Sequence, residues 1–441
     1  MHRKAHFHTS IFGITSTAAN AALAILLTLL FLMFLLLFMT LTAQPAQGQT
    51  FAVIHSFTGT DGANPFAGLT MDASGNLYGT TLNGGTGYNG TVFKLRHAGS
   101  GWVLATLYSF PGGDNGSQPT AGVTIGKEGS LYGTTFSGGL YPCGQPSVDC
   151  GVVFNLKPPA TAPRSALYSW NETLLYSFTG GADGGYPNGD LTFDRAGNIY
   201  GTDGWGGYEG YGSGGAVFEL TRSGDTWTET TLYSPTNNGD GQTPSGGVIF
   251  DNSGNMYGVF VGGGPNGGGA VYEISPSGSG WNMQYLYAFA GQSGGPAPIG
   301  GLMFDPHGNL FGTTAAGGTN GGGMVFQLVP GSSGWTFNLL YSFPSPTCTT
   351  GACGPQDRLV MDGAGNLYGT TWGGGAYGFG SVFKLSPSGS GWTYASLHDF
   401  TGGSDGAKAK SNVVLDAQGN LYGTAAYGGM NGDGVVWEIT P

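Results

Sequence analysis

One seven-residue phrase recurs seven times at near-constant spacing, and such a periodicity limits the fold to an array of like units. It reads GNLYGTT at 75–81 and returns as GSLYGTT (129–135), GNIYGTD (197–203), GNMYGVF (254–260), GNLFGTT (308–314), GNLYGTT (365–371) and GNLYGTA (419–425). From Tyr78 to Tyr422 its aromatic position advances by 54, 68, 57, 54, 57 and 54 residues. A unit near 50 residues matches a propeller blade, a sheet too small to bury its own apolar face and stable only against neighbours.

The first full unit supplies four strand-like segments separated by turn signals. Segment a is AGLTMD (67–72), b is NLYGTTL (76–82), c is TVFKL (91–95) and d is WVLATLYSF (102–110). Asp72, Asp194, Asp251, Asp305, Asp362 and Asp416 open the a–b link, with Gly126 in the remaining copy. An Asp followed by Gly at that spacing predicts a turn closed by the carboxylate. Trp102, Trp170, Trp227, Trp281, Trp335 and Trp392 each begin segment d, and their recurrence predicts aromatic filling between neighbouring sheets.

The chain ends decide the topology. Residues 53–57 (VIHSF) match segment d with no a, b or c before them, whereas 435–440 (VVWEIT) match segment c with no d after them. Pairing the two completes the seventh blade and removes the exposed sheet edges that an open array would leave. The fold class expected is therefore all-β, a seven-bladed propeller of four antiparallel strands per blade occupying residues 49–441.

The order LYG, GG, VFKL, turn and Trp looks like a Kelch-type blade. More specifically, GNLYGTT…GG…VFKL…SGW…LYSF resembles the GloVer tandem repeats of exported bacterial proteins, over about residues 51–441. The resemblance implies an exported propeller and carries no assigned chemistry.

Residues 1–48 read as an export signal or an N-terminal membrane anchor. Arg3 and Lys4 precede an apolar run at 21–39, and Ala46-Gln47-Gly48 offers a small-x-small cleavage site. The run is just long enough to span a bilayer if retained, and it is the chain's one expected membrane contact. Either way the repeats are expected outside the cytoplasm. In that oxidising setting two short-range disulfides are predicted, one between Cys143 and Cys150 and the other between Cys348 and Cys353.

Beyond residue 48 the chain has 25 acidic against 11 basic residues, a balance of −14. No basic field attracts polyanions, so nucleic acid is not an expected partner. No His or Cys grouping has metal-ligand spacing, and no cofactor or metal is expected. The chain is expected to be a monomer.

In a four-stranded blade the b–c and d–a loops share one face. The b–c loops here carry Tyr88, Trp205, Tyr208, Tyr211, Trp372, Tyr377 and Tyr427 among glycines. Where most copies have Gly before the apolar residue of segment a, three have Asp190, Arg358 and Asn412, with Asp357 preceding Arg358. If this end of segment a faces the central channel, these side chains form a polar rim on the aromatic face. Stacking rings beside acceptors suit a sugar-binding surface, so the first reading is a non-enzymatic extracytoplasmic module binding glycans or a cell-surface protein. The alternative is an exported polysaccharide hydrolase or lyase whose acid and base come from carboxylates such as Asp190, Asp203 and Glu209.

Overall fold

The computed structural model describes Leu27 and residues 49–99, 101–145, 148–159, 170–207, 214–236, 238–278, 280–291, 296–344, 354–389 and 391–441. The apolar run at 21–39 lies outside these residues, Leu27 apart, as do Cys348 and Cys353. Thr50–Thr440 form one compact unit. It is a ring of seven antiparallel sheets. Blade 1 comprises Thr70–Met71 (strand a), Leu77–Thr81 (b), Thr91–Ala98 (c) and Gly101–Ser109 (d), from the axis outward. Blades 2 to 6 repeat the order, and Gly185–Pro187 adds a fifth strand to blade 3.

Blade 7 closes as the chain ends predict. Its a, b and c strands, Val414–Leu415, Leu421–Ala425 and Val435–Thr440, come from the C-terminus, and its outer strand Thr50–Ser56 comes from the N-terminus. The register runs from Thr50 opposite Thr440 to Ser56 opposite Val435, with a bulge at Ile54. Every c–d pair carries its bulge at the same place, at Leu107, Leu175, Leu232, Leu286, Leu340 and Leu397 in blades 1 to 6. An extra residue re-aims the side chain. Each of these aliphatic residues consequently packs into a seam between blades.

The recurrent phrase is legible residue by residue. Asp362 Oδ1 accepts the Ala364 and Asn366 amides, while its Oδ2 accepts Asn366 Nδ2 at 2.7 Å and the Tyr368 hydroxyl at 3.0 Å. Burial alone would raise the Asp362 pKa, but these donors hold it below the ordinary carboxylate value. In blade 2, where Gly126 replaces the aspartate, the Tyr132 ring occupies the vacated space. The Gly of LYG has no room for a side chain: a Cβ on Gly79 would stand 2.6 Å from Phe93 Cζ on the neighbouring strand. The first Thr joins blades, since the Thr80, Thr370 and Thr424 hydroxyls donate to the Ala121, Ser411 and Ala67 carbonyls at 2.8–2.9 Å.

No blade has a private core. The buried apolar residues form seven clusters, each shared by two neighbouring blades. Strand c gives every blade one fully buried ring, Phe93, Phe154, Phe218, Tyr272, Phe326, Phe383 or Trp437. The recurrent tryptophans sit between sheets as expected but only half-buried, covering the seams from outside.

Candidate functional site

The upper face is built from loops that the repeat holds in one strained conformation. Before strand a, Asn64, Gln118, Tyr186, Thr243, Ala297 and Lys408 all adopt left-handed φ values of 48–60°. Such a conformation persists for a side-chain-bearing residue only when its surroundings over-determine it. They do so here through both backbone groups. The Asn64 amide donates to Asp433 of the preceding blade at 2.7 Å, and its carbonyl accepts the Leu82 amide of its own blade at 3.0 Å. Lys408 repeats this with Phe379 at 2.7 Å and Ala426 at 3.3 Å. Two residues further on, Phe66, Thr120, Asn188, Ser245, Ile299, Gln356 and Lys410 take equivalent places around the channel mouth. The scaffold is uniform and these seven side chains are not.

Below them the channel narrows. The mouth encloses a cavity of only about 50 Å³, bounded by Gly68, Gly122, Gly189, Gly246 and Asp357. Backbones meet closely there, since a Cβ on Gly300 would come 2.5 Å from the Asp357 backbone. Beneath the constriction lies a second chamber of about 480 Å³ among the a strands of blades 6, 7 and 1. The four predicted rim residues divide between the two: Asp190 and Asp357 line the upper cavity, whereas Arg358 and Asn412 line the lower one.

These polar side chains interact across the axis. Asp190 Oδ1 accepts the Gly122 amide at 2.8 Å, and its Oδ2 lies 3.9 Å from an Arg358 guanidinium nitrogen. Asp357 accepts the Arg358 amide at 2.7 Å and the Asn412 amide at 2.9 Å. Burial, then the charge of Asp190, push Asp357 up to about 6, against the opposing influence of the Arg358 amide, Arg358 and Lys410. Between pH 4 and 6 the unfolded chain releases this proton while the folded chain keeps it, so the residue's contribution to stability falls as pH rises. Asp357→Asn removes that slope. Its melting temperature relative to the parent is expected to climb between pH 4 and pH 7, and parallel melting curves across that range would refute the assignment.

The predicted aromatic residues also divide. Trp372 and Tyr427 meet beside the mouth, with ring centroids 6.2 Å apart. Phe66 joins them, stacked on Trp372 at 5.8 Å and edge-on to Tyr427 at 5.9 Å. Lys408 Nζ stands 5.8 Å from the Trp372 ring centroid, and burial lowers its pKa. Tyr88 and Tyr377 stand apart on their loops, 80% and 61% exposed. The Trp205 backbone pairs with Gly185 in blade 3, while its side chain, Tyr208 and Tyr211 lie outside the described residues. Phe66 and Lys408 escape a search confined to the b–c loops. Their signal is a fixed offset from the start of strand a.

Of the carboxylates proposed for hydrolysis, Asp190 and Asp203 accept backbone amides. Asp203 is fully buried and accepts the Ala216 amide at 2.9 Å, and Glu209 lies outside the described residues. Asp61, Asp183, Asp240 and Asp405 of the d–a loops are likewise engaged within their own loops: Asp405 accepts the Thr401 amide and hydroxyl, and His398 Nε2 lies 3.0 Å from it. Among the described residues, no group of three or more His, Cys, Asp or Glu could hold a metal ion.

Of the two predicted disulfides, the structure describes one. Cys143 and Cys150 are bridged in the b–c loop of blade 2, consistent with an extracytoplasmic location. The bridge predicted between Cys348 and Cys353, in the d–a loop that follows blade 5, lies outside the described residues. Cys353 immediately precedes Gly354, where the description resumes, so the pairing of Cys353 stays a sequence-based expectation. No helix among the described residues is long and apolar enough to cross a membrane.

The Gloeobacter/Verrucomicrobia repeat matches residues 39–173, 149–303 and 251–441. The chain belongs to that repeat family. No curated protein matches it. Among solved structures, an ancestral GH74 enzyme is similar at TM-score 0.51 and 12% identity, over 86% of this chain and 48% of that one. A protein from Lactobacillus plantarum reaches TM-score 0.48 at 13% identity, over 86% of this chain and 98% of that one. A candidate 6-phosphogluconolactonase from Bacteroides uniformis reaches 0.48 at 14%, over 79% and 88%. At such identities the likeness concerns the propeller fold alone.

Proposed function

We propose that this Gloeobacter/Verrucomicrobia repeat protein is an exported, non-enzymatic binding module that engages glycan chains on its upper face, beside the mouth between blades 6, 7 and 1. The observation carrying this reading is the cluster of Phe66, Trp372 and Tyr427 next to Lys408. Rings of this kind offer apolar faces to the C–H groups of a sugar, and the polar mouth residues offer donors and acceptors around them. A cavity of about 50 Å³ has room for a few waters and not for a pyranose, which favours surface attachment over engulfment.

The decisive measurement is retention on a polysaccharide panel by affinity electrophoresis. Trp372→Ala and Tyr427→Ala are expected to weaken retention at least tenfold, about 1.4 kcal/mol. Tyr88→Ala, at an exposed ring outside the cluster, serves as the comparison. Equal retention by all four proteins would remove the glycan reading.

The hydrolase reading has one feature in its favour, the neighbouring acids Asp190 and Asp357 with the latter pushed up to about 6. Against it, both carboxylates already accept backbone amides inside the constriction. Release of reducing ends by the parent chain and not by Asp357→Asn would reverse the preference.

A further inference from the structure

The lower chamber takes no part in that reading. Its volume of about 480 Å³ falls in the range of small-molecule sites. Its lining is mixed: Met71, Val360, Val414 and Leu415, each half-buried, give it aliphatic surface, and Thr70 and Asp72 give it polar surface. Its lining includes Arg358 and Asn412, in positions that blades 1, 2, 4 and 5 fill with Gly68, Gly122, Gly247 and Gly301. The Arg358 side chain is 37% exposed, and its nearest acidic oxygen, Asp190 Oδ2, is 3.9 Å away. That is an ion pair and not a hydrogen bond. Asp357 is its other charged neighbour, and among the described residues the guanidinium makes no hydrogen bond.

Five fixed N–H donors without a hydrogen bond, beside the aliphatic surface of the chamber, add little to stability. They do suit a ligand with one planar acceptor group and an apolar body. We propose that the lower chamber binds a small monocarboxylate, its carboxylate on Arg358 and its hydrocarbon body against Met71, Val360, Val414 and Leu415. A guanidinium fork matches a carboxylate in two parallel hydrogen bonds. A single cation with Asp190 and Asp357 beside it, in a chamber that Asp72 also lines, does not compensate a dianion. Inorganic phosphate is therefore the wrong ligand for this chamber.

The test is isothermal titration calorimetry on the full chain with cyclohexanecarboxylate, cyclohexanecarboxamide and inorganic phosphate. The carboxylate is expected to bind one to one, with the isosteric amide and phosphate each at least tenfold weaker. Arg358→Gln should reduce carboxylate binding at least tenfold. Val414→Phe, which keeps the cation and narrows the chamber, should weaken binding as well, and it carries the test if the arginine variant fails to fold. Absence of heat with millimolar carboxylate, equal binding of the amide, or undiminished binding by Val414→Phe would overturn the proposal. The readout is carboxylate heat and not glycan retention, so either reading can fail alone.

Discussion

A chain lacking residues 50–57 is expected to lose its cooperative unfolding transition and to accumulate as oligomers. The deleted strand supplies the whole register opposite Val435–Thr440 and leaves that strand as a bare hydrogen-bonding edge. Two seams are opened at once. Phe57 is fully buried between blades 7 and 1, together with the bulge residue Ile54, while Phe51 packs between blades 6 and 7 against His398 and Trp437. Loss of a buried Phe alone costs about 3–5 kcal/mol, comparable to much of the 5–15 kcal/mol by which a folded domain is typically stable. An unprotected edge then recruits other chains. A synthetic peptide of residues 50–57 added in trans should restore the monomer, because the edge accepts any strand of matching register. Size-exclusion chromatography and thermal melting decide the matter. A truncated chain that remains monomeric and melts at the parent temperature would show that closure does not hold the ring.

The ring and its closure were legible because both follow from the period and from the matching phrases at 53–57 and 435–440. The strand-d phrase at 53–57 is separate from the six d strands that follow their own c strands, and it pairs with the strand-c phrase at 435–440. The turn aspartates were legible for a similar reason, since Asp, Gly and Asn at fixed offsets need only local geometry to meet. Depth was harder to read. Recurrence marks Trp102 and Phe93 equally, yet strand c is flanked by strands on both sides and buries Phe93 completely, while Trp102 opens the outer strand and stays half-exposed.

Position along the axis was harder still. Asp357 and Arg358 are adjacent in sequence and fall on opposite sides of the constriction, because one residue of extended chain advances about 3.3 Å. A rim assigned from sequence to one face therefore splits between two cavities. Phe66 and Lys410 illustrate the converse. Their offset from strand a is constant and visible, but the residue type changes in every copy, so a search for recurring letters passes over them. Variation on an invariant scaffold is where a repeat protein places specificity, and here that variation encircles the mouth.

Trp437→Ala is expected to destabilise the protein by about 3–5 kcal/mol, whereas Trp437→Phe should stay within about 1 kcal/mol of the parent. Trp437 is fully buried in the closing blade at the place that five other blades give to Phe. It packs with Phe400 at 6.3 Å and Phe51 at 6.4 Å, so its removal hollows the seam that the N-terminal strand must cover. Alanine leaves a cavity that the opposing sheet backbones cannot collapse to fill. Phenylalanine balances two opposed effects. It loses part of the indole's packing, but it also removes Trp437 Nε1, a buried donor without a hydrogen bond among the described residues. An unmet buried donor costs about 1–3 kcal/mol, the same size as the packing lost. Urea denaturation midpoints at constant m-value measure both variants. Equal losses for Phe and Ala would mean that the indole itself, and not the repeat's ring position, holds the closing seam.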